Sequence, residues 1–242
     1  MFLFSIALIN PNQMKKLYLF CLLILIYSTS IAQHSIKVGT QIPIQYAVQY
    51  DYQFHPRWSG NVQVGVLTKP YDQAILSILK SLGVGQEIVN VLTSAFNFGL
   101  ITQAGVNYHF KKNYVGVTGS WIHLQAADTP VSAIEAAFNV SIASYPQRPR
   151  QSAKTPVSLT LSSDLYNAGI LYGRRFTFKN PKIELHTEFS FAKTLGSASY
   201  IDSPQKSLES LSMVVDNELK TDYLDYGYLP SINVFFVYKF GG

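Results

Sequence analysis

LDYGYLPSINVFFVYKF, residues 224–240, alternates from end to end. One set of side chains is Leu224, Tyr226, Tyr228, Pro230, Ile232, Val234, Phe236, Tyr238 and Phe240, apolar or aromatic throughout. The other is Asp225, Gly227, Leu229, Ser231, Asn233, Phe235, Val237 and Lys239, small, polar and charged residues mixed with a few apolar ones. A period of two predicts a β-strand with two unlike faces. Seventeen residues is long for a strand of a soluble domain. A greasy face ending in aromatics, opposite a mildly polar one, suits a barrel wall with lipid outside and a polar lumen inside.

The same alternation recurs along the chain. Ile36, Val38, Thr40, Ile42, Ile44, Tyr46, Val48, Tyr50, Tyr52 and Phe54 run against Lys37, Gly39, Gln41, Gln45, Ala47, Gln49, Asp51 and Gln53. Pro43 interrupts this run, and a proline cannot donate to a strand ladder. It is read as a tight reversal at Gln41-Ile42-Pro43, the alternative being one long bent strand. Further strands carry Val62, Val64 and Val66; Leu100 to Phe110; Val115 to Trp121; Ala168 to Phe178; and Ile183 to Phe191. With a turn at Pro43 the count is eight and both termini lie on one side; without it the count is seven. Three connections are short and polar: His55–Trp58, Lys111–Asn113 and Lys179–Pro181. Three are long, near residues 69–98, 125–157 and 195–222. Short turns on one side and long loops on the other mark outer-membrane barrels. The long loops hold apolar residues at helical spacing. Thr129-Pro130 and Ser203-Pro204 read as helix N-caps followed by Pro at the first helical position, and Lys69-Pro70 opens the first loop similarly. The fold expected is all-β: an eight-stranded antiparallel transmembrane β-barrel with short periplasmic turns and long extracellular loops carrying short amphipathic helices.

The front of the chain sets the compartment. Met14-Lys15-Lys16 precedes an apolar run from Leu17 to Tyr27 and the small-x-small site Ser30-Ile31-Ala32. This predicts a signal peptide over residues 14–32, cleaved before Gln33, with residues 1–13 an over-called start and 33–242 the barrel. The apolar run is too short to span a bilayer comfortably as an anchor. The single cysteine, Cys21, falls within it, so disulfide, thiolate and cysteine-metal chemistry are not expected after cleavage. Removing residues 1–32 takes away Lys15 and Lys16 and no acid, leaving a net charge of +3 from the full chain's +5. That charge is small and scattered, which argues against nucleic acid. Aromatic and charged residues each make up 14% of the chain, a balance that favours a membrane for an exported protein. No stretch after residue 33 is apolar enough for a membrane helix, so a crossing must use strands.

Together the signal peptide, the alternating strands, the loop asymmetry and the terminal FFVYKF resemble small OmpA/OmpX-type outer-membrane β-barrels of Gram-negative bacteria. The SIAQ junction and the opening GTQIPIQYAVQYDYQFHPRW are similar to small barrel proteins of Bacteroidota. The resemblance implies that the outer-membrane assembly machinery reads the last strand. Here Phe240 is followed by Gly241-Gly242, where the pattern would end on the aromatic.

Candidate site residues follow from face and position. Lys37, Asp51, Arg175, Glu184, His186, Glu188 and Lys239 fall on inward positions, as do His109 and Asp225, and are expected to form a lumenal charge network. Glu184 and Glu188 lie four residues apart on one strand, about 13 Å by strand rise, too far for a glycosidase pair. A metal or hydrolase role for them with His186 is the weaker reading. Tyr52, Phe54, Trp58, Tyr108, Phe110, Phe176, Phe178, Tyr238 and Phe240, with Tyr114, stand beside the short turns and predict an aromatic girdle at the lipid–water boundary. Ile75, Leu79, Leu82, Ile88 and Leu92 in the first long loop form a candidate vestibule for a hydrophobic ligand. Arg148, Arg150 and Lys154 in the second could meet lipid phosphates. His123 lies near the loop end of its strand, with Ser120 and Asp128 nearby in sequence, an arrangement tested as a lipid-modifying site and read instead as a rim histidine. No catalytic residue, metal or cofactor is assigned. Expected partners are outer-membrane lipid, the assembly machinery, and a hydrophobic ligand or surface protein. The role expected is structural or interactive at the cell surface; binding or passage of a lipid through the loops is the alternative, and lipid-modifying enzymology a remote one.

Overall fold

Each alternating segment extends because its apolar set needs a medium different from that of its polar set. A computed structural model describes residues 33–71, 73, 77, 96–130, 158–202 and 209–240. The strands are β1 (Gln33–Ile42), β2 (Gln45–His55), β3 (Trp58–Leu67), β4 (Phe96–Phe110), β5 (Asn113–Pro130), β6 (Ser158–Thr177), β7 (Ile183–Asp202) and β8 (Tyr228–Phe240). Among the described residues a helix, α1 (Glu209–Tyr226), precedes β8. All neighbours are antiparallel, and β8 pairs with β1 to close an eight-stranded barrel. No helix among the described residues is long and apolar enough to cross a membrane.

Pro43 turns the chain: Ile44 N–H donates to the Gln41 carbonyl and β1 pairs with β2 from Gln41–Gln45 downward. The other short turns fall at Pro56-Arg57, Lys111-Lys112 and 179–182. One rim therefore holds these three short turns and both barrel ends, and the mouth holds the three long connections and the tight turn at Pro43. Strand lengths are unequal. β1 to β3 have 10 or 11 residues, whereas β6 and β7 have 20 each. β4 leaves β5 at Ala126, and β8 leaves β7 at Lys193. Beyond those points β5, β6 and β7 rise above the mouth as a three-stranded wall.

Several expectations are corrected. The terminal strand begins at Tyr228, not Leu224. Leu224, Asp225 and Tyr226 form the last turn of α1, so Asp225 is an exposed helix residue rather than a lumenal one. Gly227 ends the helix where its N–H meets the Tyr223 carbonyl and its own carbonyl accepts from Thr194 N–H; a side chain there would strike Thr194 and Tyr223. Thr129 and Pro130 are not a helix cap but the end of β5, paired with Leu159 and Ser158. The second and third loops are shorter than expected because the wall strands continue into them. Ile44 does not face outward; from its turn it folds over the mouth and is buried. Pro230 is an ordinary member of β8 opposite Phe191. The β1–β8 ladder stops at Ile42–Ile232, so no β1 residue stands opposite the proline and its missing N–H costs no ladder bond on that side.

Candidate functional site: a filled lumen and a polar spot on the outer wall

Adjacent residues of β8 sit in different media. Phe235 is 0% exposed inside the barrel, while Phe236 is 63% exposed outside it. The outer faces of β1–β4 show Ile36, Val38, Val48, Val62, Val64 and Val106 in the same way. All nine girdle aromatics stand outside at the short-turn rim. Trp58 meets Tyr108 edge-on with ring centroids 5.0 Å apart, and Tyr52 meets Phe54. His34, which periodicity did not mark, stacks on Phe240 at 5.9 Å and joins Tyr52, linking both sides of the closing seam. Tyr114 leaves the expected girdle: it is 0% exposed and lies in the lumen. Its neighbour Val115 faces out, so parity alone could have placed it.

The lumen is layered. Nearest the short-turn rim, Lys239 Nζ lies 2.6 Å from Glu184 Oε1, and Glu184 Oε2 meets His186 Nε2 at 2.9 Å. Tyr114 bridges the next pair: its hydroxyl donates to Glu188 and lies 3.2 Å from His186 Nδ1. Lys37 sits between two carboxylates, 3.2 Å from Asp51 and 3.5 Å from Glu188, with its ammonium over the Tyr114 ring. Burial costs each charge its hydration, which a close opposite charge and further hydrogen bonds offset. Six of the seven expected network residues thus come together. Arg175 does not: its guanidinium donates to the Lys111 carbonyl at 2.6 Å, on the turn backbone. His109 joins Ser59 rather than a carboxylate.

Above the charges lies a neutral layer. Asn233 Nδ2 donates to Glu188 at 3.0 Å, Ser231 donates to Asn233, and Gln41 donates to Ser231. Gln45 and Gln63 both donate to Gln41 Oε1. At the mouth, Ile44, Leu67, Ile101, Ile122 and Leu165 pack together with Tyr71, Leu124, Tyr223 and Leu229. The interior of an eight-stranded barrel is just wide enough for its side chains to fill. Glu184, His186 and Glu188 are occupied by Lys, Tyr and Asn partners. Among the described residues no group of three His, Cys, Asp or Glu is arranged to hold a metal ion. The vestibule residues Ile75, Leu79, Leu82, Ile88 and Leu92, and Arg148, Arg150 and Lys154, lie outside the described residues.

On the outer wall, Asp164 Oδ1 accepts from Trp121 Nε1–H at 3.1 Å and meets His123 Nδ1 at 2.8 Å. Ser120 is not part of this group. It sits on the opposite face of β5 and bonds Asn167 in the lumen. Odd and even positions of one strand cannot converge, so Ser120 and His123 do not meet; the partner of His123 is Asp164, opposite it across the β5–β6 ladder.

A closed strand wall with this outer surface is stable in lipid rather than in water, and its lumen holds the buried charges of Lys37, Asp51, Glu184 and Glu188. The molecule is a membrane-spanning β-barrel protein with a packed lumen. No family model matches the chain, and no curated protein does. Solved structures similar to it include a major outer membrane protein of Thermus thermophilus, 12% identical, covering 87% of this chain and 100% of that one, with a TM-score of 0.43. The N-terminal β-barrel domain of Pseudomonas aeruginosa OprF is 8% identical, covering 86% and 96%, with a TM-score of 0.37. Acinetobacter baumannii CarO is 11% identical, covering 88% and 99%, with a TM-score of 0.38.

Proposed function

We propose that this chain is a non-conducting outer-membrane barrel of a Gram-negative bacterium, with a structural or surface-interaction role carried by its long-loop end. The observation that carries this reading is the continuous packing of the lumen, from the Lys239–Glu184 pair to the apolar cluster around Ile101. A channel needs a path of water or of weak, exchangeable sites, and here paired charges, bonded amides and apolar side chains occupy successive levels. The barrel then serves as a rigid stand for the wall of β5–β7, α1 and the loops. Its partners on this reading are outer-membrane lipid along the wall, the assembly machinery at β8, and a surface protein at the mouth. Reconstitution in planar bilayers tests it: no stepwise conductance is expected, and steady open-channel current would overturn the proposal.

A second reading is the binding or passage of a lipid or other small hydrophobic ligand at the long-loop end. The cavity beneath the mouth, between Ile44, Ile101, Ile122, Leu229 and the polar Gln41, Gln45, Gln103, Thr118, Ser120 and Ser190, has a volume of about 20 Å³, room for a water, so such a ligand would be held at the loop end above it. Fatty acid or lipid recovered in stoichiometric amount from the delipidated, purified protein would favour this alternative.

A further inference from the structure

Among the side chains that the structure describes, Asp164 is the sole carboxylate on the outer faces of the strands. Its height on the wall is informative. From Phe176 at the short-turn rim the outward residues of β6 are Arg174, Tyr172, Ile170, Ala168 and Tyr166. Ten residues of strand, tilted as barrel strands are, climb roughly 25 Å, the height of the apolar band of such barrels. Tyr166 pairs with Trp121 across the ladder, and Asp164 with His123 is one side-chain step further toward the mouth. Trp121 and Tyr166 therefore mark the second lipid boundary, and Asp164 and His123 stand at the level of the headgroups.

The hydrogen bonding there is incomplete. Trp121 and His123 both address Asp164 Oδ1. No other described residue bonds Asp164 Oδ2 or His123 Nε2. When Nδ1–H donates to a carboxylate, a neutral imidazole presents Nε2 as an acceptor. The spot thus offers two acceptors side by side and carries negative charge. A ligand that matches it brings several N–H donors and positive charge, since charge-assisted bonds are the stronger ones.

We propose that Asp164, His123 and Trp121 form a lipid-binding site on the outer wall that takes the primary ammonium headgroup of a membrane lipid. Phosphatidylethanolamine is the probe and phosphatidylcholine its control. The two share a phosphate and a net charge, but the quaternary ammonium of choline has no N–H to donate. Trp58 and Trp121 are the chain's two tryptophans, so Trp58→Phe leaves Trp121 as sole fluorophore within the site. The full chain carrying this change, in phosphatidylcholine nanodiscs, is titrated with rising mole fractions of phosphatidylethanolamine. The Trp121 emission is expected to shift saturably, with a midpoint at roughly tenfold lower mole fraction than in the Asp164→Asn variant, the order of one bond to a charged group. His123→Ala is expected to move the midpoint in the same direction, and Lys193→Gln, on the same outer surface, to leave it in place. General effects of phosphatidylethanolamine on the bilayer act on every variant alike and drop out of the comparison. Superimposable titrations for the parent and Asp164→Asn would overturn the proposal. So would an equal response to N,N,N-trimethylated headgroups, or the same shift produced by water-soluble glycerophosphoethanolamine.

Discussion

Single side chains decide whether this lumen closes on itself. Gly173 lies under the Tyr114 ring, Gly116 under the Asn107 amide, and Gly39 against Phe235 and the β8 backbone. A Cβ at any of them meets an atom that has nowhere to go. Gly173→Ala is expected to destabilise the folded barrel by about 1–3 kcal/mol, the usual cost of overpacking, measured by urea unfolding in vesicles. Gly60→Ala is the comparison: a Cβ there meets nothing nearer than 3.9 Å, and a change within about 0.5 kcal/mol is expected. Lys37 is the second case. Lys37→Met removes the cation between Asp51 and Glu188 and is expected to cost about 3–5 kcal/mol by stranding buried carboxylates. The triple variant Lys37→Met, Asp51→Asn, Glu188→Gln should recover most of that loss in the same unfolding assay. Failure to recover would mean that packing rather than charge sets the effect. Strand parity made the inward charges legible in the sequence. The pairing of Tyr114 with Gly173, or of His123 with Asp164, depends on the register between β5 and β6 across the long connection that joins them, which parity does not contain.

At the level of elements, α1 answers a problem created by the tall wall. Above Lys193 the strand β7 has no β8 neighbour, and an open edge is a template for unwanted pairing. The helix occupies it. Asp216 accepts from Ser199 N–H at 2.6 Å, and Ser212 takes both the N–H and the carbonyl of Ile201. Ser212, Val215, Asp216, Leu219 and Tyr223 follow helical spacing and form the inner face, with Val215 and Leu219 buried. Burial holds the Tyr223 phenol above its ordinary value of 10.0, and neighbouring Asp222 adds to the rise, against the bond to Ser163. The sign follows. Below that ordinary value both folded and unfolded states keep the proton, and the contribution to stability is complete. As pH climbs through the raised folded value, the unfolded state gains by ionising first and the contribution is lost. Hydrogen exchange over residues 212–223 should therefore speed up above about pH 10, and Tyr223→Phe should remove that step. The helix was legible as an amphipathic stretch after Ser203-Pro204. Its end was not, because Leu224 and Tyr226 satisfy an alternating pattern as readily as the last turn of a helix. What separates the two is Gly227 packing on Thr194, a tertiary contact.

For the whole molecule, the proposed reading gives the lumen two closures in series, with neutral amides between them. The charged layer near the rim excludes ions by holding its own partners, and the apolar cluster at the mouth excludes them by offering no hydration. Barriers in series are each sufficient, so opening one leaves the other in control. Tyr114→Ala removes the side chain that joins Glu188 to His186 and fills the space over Gly173, yet the mouth remains stoppered, and bilayers holding this variant should stay silent. Replacing Ile44 and Leu229 by serine loosens the mouth but leaves Lys37, Asp51 and Glu188 paired, and those bilayers should also stay silent. The combined variant is expected to conduct, with unitary steps that neither parent shows, provided urea unfolding confirms that all three are folded to a comparable degree. If Tyr114→Ala alone conducts, the mouth cluster is permeable and the charge layer is the single closure. If the combined variant is folded and silent, the closure lies elsewhere, in the amide layer of Gln41, Gln45 and Gln63, and replacing Gln41 by alanine in that background becomes the deciding recording.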